Sequence, residues 1–239
     1  MPRIAVITPY FQEPLEMIRR CHDSVLSQGA DVHHILLADG HRRSEIDQWQ
    51  VTHLSLPPLA DWGNTPRMIG AAVAAAQRYE GICFLDADNW FEPEHVQTLF
   101  ALAQTTKAAV VTCARMLRRP DGSALGICTE SDGARFNDTN CYLLLPKSFA
   151  LLGNWCFQDD PRSAPIGDRY FWRAIVQSGL ARHHSPLATI NYVTRYFTHY
   201  LQRGEVPPPG ARTNVLINGV VTTIDFTTWQ AMQTSRSPP

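Results

Sequence analysis

The stretch Gly81-Ile82-Cys83-Phe84-Leu85-Asp86-Ala87-Asp88-Asn89-Trp90 constrains this chain more than any other. Its apolar run is too short for a helix and bulky enough for a strand buried on both faces, and it ends abruptly in two carboxylates. Pro93 follows closely, where a helix beginning Glu92-Pro93-Glu94 accepts it in the first turn. Strand, acidic turn and helix put Asp86 and Asp88 at the carboxyl end of a central strand, where open α/β sheets bind ligands. Two carboxylates one residue apart there can hold a hard divalent cation that also grips phosphate oxygens. The plainer alternative is a solvated turn in which Asp88 or Asn89 caps the next helix.

The flanking sequence has the same alternation. Ile4 to Ile7 reads as a buried strand stopped at Thr8-Pro9, and Leu15, Ile18, Cys21 and Val25 follow at helical spacing between Pro14 and Gly29. Ile35 to Ala38 is a second strand, closed by Asp39-Gly40, and Val51 to Leu56 is a third. Thr65 reads as the cap of a helix with Pro66 at its first position. That helix delivers the chain into the Asp86/Asp88 strand. A further helix through Val96, Leu99 and Ala103 and a strand from Ala108 to Cys113 complete the pattern of a three-layer α/β domain.

Beyond it come a hairpin around Pro120-Asp121-Gly122, a strand-like Cys141 to Leu145 and a short helix from Lys147 to Leu152. A helix from Asp168 to Ser178 follows, with the Asp168 carboxylate favoured at its N-terminus. Thr189 to Val193 is a last strand, before an aromatic cluster of Tyr192, Tyr196, Phe197, His199 and Tyr200. Pro207-Pro208-Pro209-Gly210 then breaks the chain, and Val215 to Val221 around Asn218-Gly219 reads as a hairpin. The expected division is a domain over residues 1–205 and a C-terminal extension over 206–239, with that hairpin and a disordered tail from Ser235.

Composition excludes several classes. With 44% hydrophobic and 18% charged residues and a net charge of −1, the chain is neither disordered nor a polybasic nucleic-acid binder. Its six cysteines show no CxxC or Cys/His spacing, which fits a reducing cytoplasm better than a disulfide scaffold or a zinc site. The N-terminus turns polar too soon for a signal peptide, and no apolar run is long enough to span a bilayer. A cytoplasmic protein is expected, with a peripheral position at a membrane left open.

Taken in order, Ile7-Thr8-Pro9-Tyr10 with Glu13, Leu37-Ala38-Asp39-Gly40, Arg67-Met68-Ile69-Gly70 and Phe84-Leu85-Asp86-Ala87-Asp88 resemble family 2 glycosyltransferases of the GT-A fold. Gly167-Asp168 with Arg173 is similar to that family's acidic pair ahead of a helix, and the resemblance runs over roughly residues 3 to 200. There are departures: Thr8-Pro9 inverts the usual Pro-Thr, Phe11 and Met68 replace asparagines, and Gly167 replaces a frequent Glu. The QxxRW element of processive polysaccharide synthases is missing, which argues against polymer synthesis.

The resemblance implies a mostly parallel three-layer α/β/α fold. The implied reaction is inverting, metal-dependent transfer of a monosaccharide from a nucleoside-diphosphate sugar, UDP-linked, to a hydroxyl of a glycan, lipid-linked glycan or protein. Pro9, Tyr10, Glu13, Asp39, Arg67, Asp86, Ala87 and Asp88 are then the nucleotide-sugar positions. Asp39 would accept from a uracil-type imide and Arg67 would meet base or phosphate; their plain alternatives are a turn residue and a solvated helix residue. Asp88 is the expected ligand of Mn²⁺ or Mg²⁺ in this DxD motif, with His199 as a distant second ligand favouring manganese. Asp168 is the expected general base, or else only a helix cap. Asn137-Asp138-Thr139 is a weak candidate for the acceptor side. Two rivals stand beside this reading. Nucleotidyl transfer to sugar phosphates usually carries a Gly-rich loop after the first strand, which is absent here. An inactive sugar-nucleotide binder has no need of Asp86, Asp88 and Asp168 together.

Overall fold

Every residue of the first strand, β1 (Ile4–Tyr10), is buried, and alternate side chains feed two separate cores. Ile4 and Val6 pack with Cys21 and Val25 of α1 (Leu15–Leu26) and with Val96 and Leu99 of α3 (His95–Thr106). Ala5 and Ile7 face the other way, onto Ala71 and Ala74 of α2 (Asn64–Ala76) and Phe171 and Ile175 of α4 (Gly167–Gln177). The result is a sheet with helices on both faces. The computed structural model describes residues 3–29, 31–156, 161–217 and 220–234. Asp159 and Asp160, the Asn218-Gly219 turn and the tail from Ser235 lie outside the described residues.

The other strands are β2 (Val32–Asp39), β3 (Thr52–Leu56), β4 (Gly81–Phe84), β5 (Trp90–Phe91), β6 (Val110–Arg118), β7 (Ala124–Ile127), β8 (Tyr142–Leu144) and β9 (Arg182–Val193). They form one nine-stranded sheet in the order β3-β2-β1-β4-β8-β6-β9-β5, with β7 paired to β6. The first four positions are parallel, as are β6 and β9, while β8, β5 and β7 run antiparallel to their neighbours. The sheet is therefore mixed rather than mostly parallel in its pairings, with its parallel part in β3-β2-β1-β4 and β6-β9.

Several boundaries differ from expectation, each for a local reason. β1 continues through Pro9: Ile7 O accepts from Leu85 N, so Pro9 turns its missing N–H to the same side, past the end of β4. Thr65 does not cap α2. Gly63 at φ 76° is the cap residue, and Asp61 Oδ2 accepts the Thr65 N–H at 2.7 Å. The short strand β5, paired with β9, separates the acidic turn from α3. Helix capping by Asp88 or Asn89 is thereby ruled out; Asn89 Oδ1 instead accepts from Val193 N at 2.8 Å. β9 starts at Arg182 rather than Thr189, absorbing Pro186 in a bulge between the pairs Cys113–Ser185 and Ala114–Ala188.

The C-terminal segment is docked. After α5 (Phe197–Leu201), strands β10 (Arg212–Ile217) and β11 (Val220–Asp225) form the expected hairpin, and an unforeseen helix α6 (Phe226–Thr234) follows. Arg212 N donates to Arg195 O at 2.8 Å, and Phe226 and Trp229 each pack on Phe197 at 5.3 Å between ring centroids. The hairpin thus becomes part of the face on which Asp168 lies.

Candidate active site

Asp86 emerges from β4 into a frame built by three distant segments. Its carboxylate pairs with the Arg67 guanidinium through Oδ1 and accepts from Asn140 Nδ2 at 3.0 Å through Oδ2. Asn140 also takes the Asp86 backbone N–H at 2.6 Å, so one amide fixes both the main chain and the side chain. The Asn140 Nδ2 further donates to Asp138 Oδ1 at 2.7 Å, and Asp138 Oδ2 pairs with buried Arg115. Arg67, Asp86, Asn140, Asp138 and Arg115 thus form one continuous chain of charge-assisted bonds. Arg67 is buried, committed to Asp86 and to Trp62 O at 2.9 Å; it is no solvated helix residue.

Asp88 stands in a different electrostatic position. Among the described residues no other residue donates to its carboxyl group. Burial, together with the charges of Asp86 and Glu13, pushes its pKa up to about 7 although Arg195 opposes the shift. A carboxylate made costly in this way is relieved by a cation. Glu13 itself folds back, its Oε2 accepting from Phe11 N at 2.6 Å. Asp39 is buried at the end of β2 and accepts from Leu59 N at 2.8 Å through Oδ1. This bond and the Arg67–Trp62 bond hold a loop in which Ala60 and Trp62 both adopt positive φ, a conformation costing about 1–3 kcal/mol per residue. Pro9 underlies that loop, packed close to Gly63.

Asp168 opens α4, and its Oδ1 accepts from Arg169 N at 2.8 Å. Burial first, and then the nearby Asp138 charge, raise its pKa to about 6 against the opposing pull of Arg169. It lines a cavity of about 430 Å³ together with Asp138, Arg115, Tyr192, Tyr196 and His199. Asp138 is therefore shared: it belongs to the chain that ends on Asp86 and to the wall that carries Asp168. The position before Asp168 explains its own residue. A Cβ on Gly167 would lie 2.5 Å from Asn64 Oδ1, where α2 and α4 begin side by side, so the frequent Glu of the resembling family has no room. Gly167→Ala is expected to cost about 1–3 kcal/mol by overpacking, read as a lower urea midpoint at unchanged m-value. An unaltered midpoint would mean that Asn64 moves aside freely.

Three expected site residues need correction. The Tyr10 and Ala87 side chains are packed in one buried cluster with Ile18, Leu36, Ala38 and Ile46, and Tyr10 Oη is 2.7 Å from His53 Nε2, so each offers a ligand only backbone. His199 faces other partners: Nδ1 lies 2.7 Å from Thr194 Oγ1, and Nε2 points toward Glu130, 3.8 Å from its Oε2. Although burial disfavours its charged form, hydrogen bonding to Cys128 and Glu130 raises its pKa above the ordinary value. None of these partners is Asp86 or Asp88. Among the described residues no three His, Cys, Asp or Glu side chains converge as a ready-made metal cluster. Asn140 and Arg115 were not anticipated. The only signal for them was the polar Asn137-Asp138-Thr139-Asn140 run between apolar segments.

The model of the family described as glycosyl transferase family 2 matches residues 5–149. No curated protein matches the chain. Among solved structures, S. aureus TarS aligns with a TM-score of 0.59 at 12% identity, covering 83% of this chain and 38% of TarS. The TarS 1-349 fragment in complex with UDP aligns at 0.59 and 13% identity, covering 84% of this chain and 62% of the fragment. The same fragment in complex with UDP-GlcNAc aligns at 0.59 and 14% identity, over 80% and 58%. At such identities the likeness is one of fold, GT-A, and the chain spans less than two thirds of each of these proteins.

Proposed function

The chain belongs to glycosyl transferase family 2, and we propose that it is a glycosyltransferase that moves a monosaccharide from a UDP-linked donor to an acceptor hydroxyl with inversion. The observation carrying this reading is the shared Asp138, which joins the Asp86 frame to the cavity lined by Asp168. Donor and acceptor sides are thereby one wall apart. In the proposed step Asp168 takes the proton of the acceptor hydroxyl as its oxygen attacks the anomeric carbon, and the bond from that carbon to the diphosphate breaks. A carboxylate with a pKa of about 6 is ionised at neutral pH yet basic enough to share that proton. The TarS complexes support the choice of UDP by analogy of fold.

The donor set supports a hard divalent cation held by Asp88 alone among the protein groups. Asp86 is already paired with Arg67, whereas among the described residues no cation forms an ion pair with the Asp88 carboxyl and Arg195 acts on it only through its charge. Mg²⁺ and Mn²⁺ take their remaining oxygens from phosphates and water in sites of this kind. When bound, such an ion neutralises charge on the leaving diphosphate. His199, turned toward Thr194 and Glu130, is left out of this proposed ligand set, and the proposal carries no manganese preference from it. Asp39 would accept from the nucleobase through the oxygen that Leu59 leaves unused. Asp88→Asn is expected to abolish the Mn²⁺-dependent part of UDP affinity in calorimetry at an unchanged melting temperature. Equal Mn²⁺-dependent affinity in the variant would remove Asp88 from the metal site.

A further inference from the structure

The lining of the Asp168 cavity divides by element. Strands β6 and β9 and the start of α4 contribute Arg115, Tyr192 and Asp168, and the loops beside them add Asp138 and Tyr196. Pro165 and Ile166 before α4 and the cross-strand pair Leu216 and Val221 of the docked hairpin contribute aliphatic surface, beside the hairpin's polar Thr213 and Asn214. Leu216 is 72% exposed. One exposed leucine is ordinary, but here it continues an aliphatic wall of a cavity whose polar wall carries the proposed base. The wall is held in register: Arg212 bridges to Tyr196, and Asn214 Nδ2 reaches Pro165 O at 3.4 Å. Thr213 is buried beneath it.

We propose that the acceptor is amphipathic, a hydroxyl-bearing sugar seated against Asp168 and Asp138 whose aliphatic aglycone leaves over Leu216 and Val221. This rests on the glycosyl-transfer reading and adds the acceptor's chemical class. A free polar sugar would leave the aliphatic wall in water and gain nothing from it. An alkyl chain would bury surface there, and a few methylenes suffice for roughly a tenfold gain or more in apparent affinity.

The test uses the full chain, UDP-glucose, UDP-galactose and UDP-N-acetylglucosamine as donors, and paired methyl and octyl glycosides as acceptors below their micellar concentrations. UDP release without acceptor first establishes donor cleavage; if no donor is cleaved under any condition, the glycosyl-transfer reading fails and this inference with it. With donor cleavage present, at least one octyl glycoside is expected to stimulate release with a KM about tenfold or more below that of its methyl partner. Leu216→Asp should erase that ratio, and Leu216→Phe should keep it. Equal KM values within every pair, no stimulation by any octyl glycoside, or a ratio untouched by Leu216→Asp would each overturn the assignment while leaving glycosyl transfer intact.

Discussion

Asp168→Asn is expected to lower turnover by about two or more orders of magnitude while leaving donor affinity within about twofold. The substitution keeps shape, and an amide oxygen can still accept the Arg169 N–H that now binds Oδ1. What disappears is the basic lone pair, so the loss belongs to kcat and not to binding. The pH profile supplies an independent check. Because the base acts ionised, wild-type kcat/KM should fall as pH drops through about 6, the value to which burial and Asp138 raise Asp168. Replacing Asp138 by Asn in an Arg115→Met background, so that no buried charge is left unpaired, removes one of the two causes of that rise, so the acid limb should move to lower pH. Steady-state rates from pH 5 to 8 decide the matter. Turnover of Asp168→Asn within a few-fold of wild type, or an acid limb indifferent to Asp138, would take Asp168 out of the chemistry.

The parts of this molecule that the sequence made legible are those written in local contrast. The β4 run is apolar on both faces and then meets two aspartates, so strand, sheet end and candidate site could be read from ten consecutive residues. Pro14 and the apolar spacing of α1 were equally local. What escaped reading depends on partners far away in the chain. Asn140 matters because of Asp86, 54 residues earlier, and Arg115 because of Asp138, 23 residues later. Neither pairing leaves a periodic trace. The first half of β9 carries Arg182, His183, His184, Ser185 and Pro186, which show no apolar run or alternation, and its pairing with β6 depends on a bulge. His199 was read from its place after the base-bearing helix, whereas its neighbours Thr194 and Glu130 are set by the packing of α5. The alternation of α2 with the sheet was visible, but the contact of Gly167 with Asn64 is a meeting of two helix starts about a hundred residues apart.

The Arg115–Asp138 pair should prove the costliest to break from one side, and unequally so. Arg115 is 3% exposed and Asp138 6%, so neither charge is well solvated if left alone. Asp138→Ala removes the partner of the guanidinium and also the acceptor of two Asn140 donors, its N at 3.0 Å and its Nδ2 at 2.7 Å. Uncompensated buried charge is worth about 3–5 kcal/mol, which puts this variant near or beyond the margin of an ordinary domain. Arg115→Met orphans a carboxylate that still accepts both Asn140 bonds, so its loss should be smaller. The double variant removes both charges and should recover part of what Asp138→Ala loses, since a buried pair stabilises little over apolar packing. Urea midpoints of the four proteins, at equal m-values, close the cycle. A loss below about 1 kcal/mol for Asp138→Ala would mean that water in the Asp168 cavity solvates Arg115, and the buried chain from Asp86 would then carry no more than hydrogen bonds.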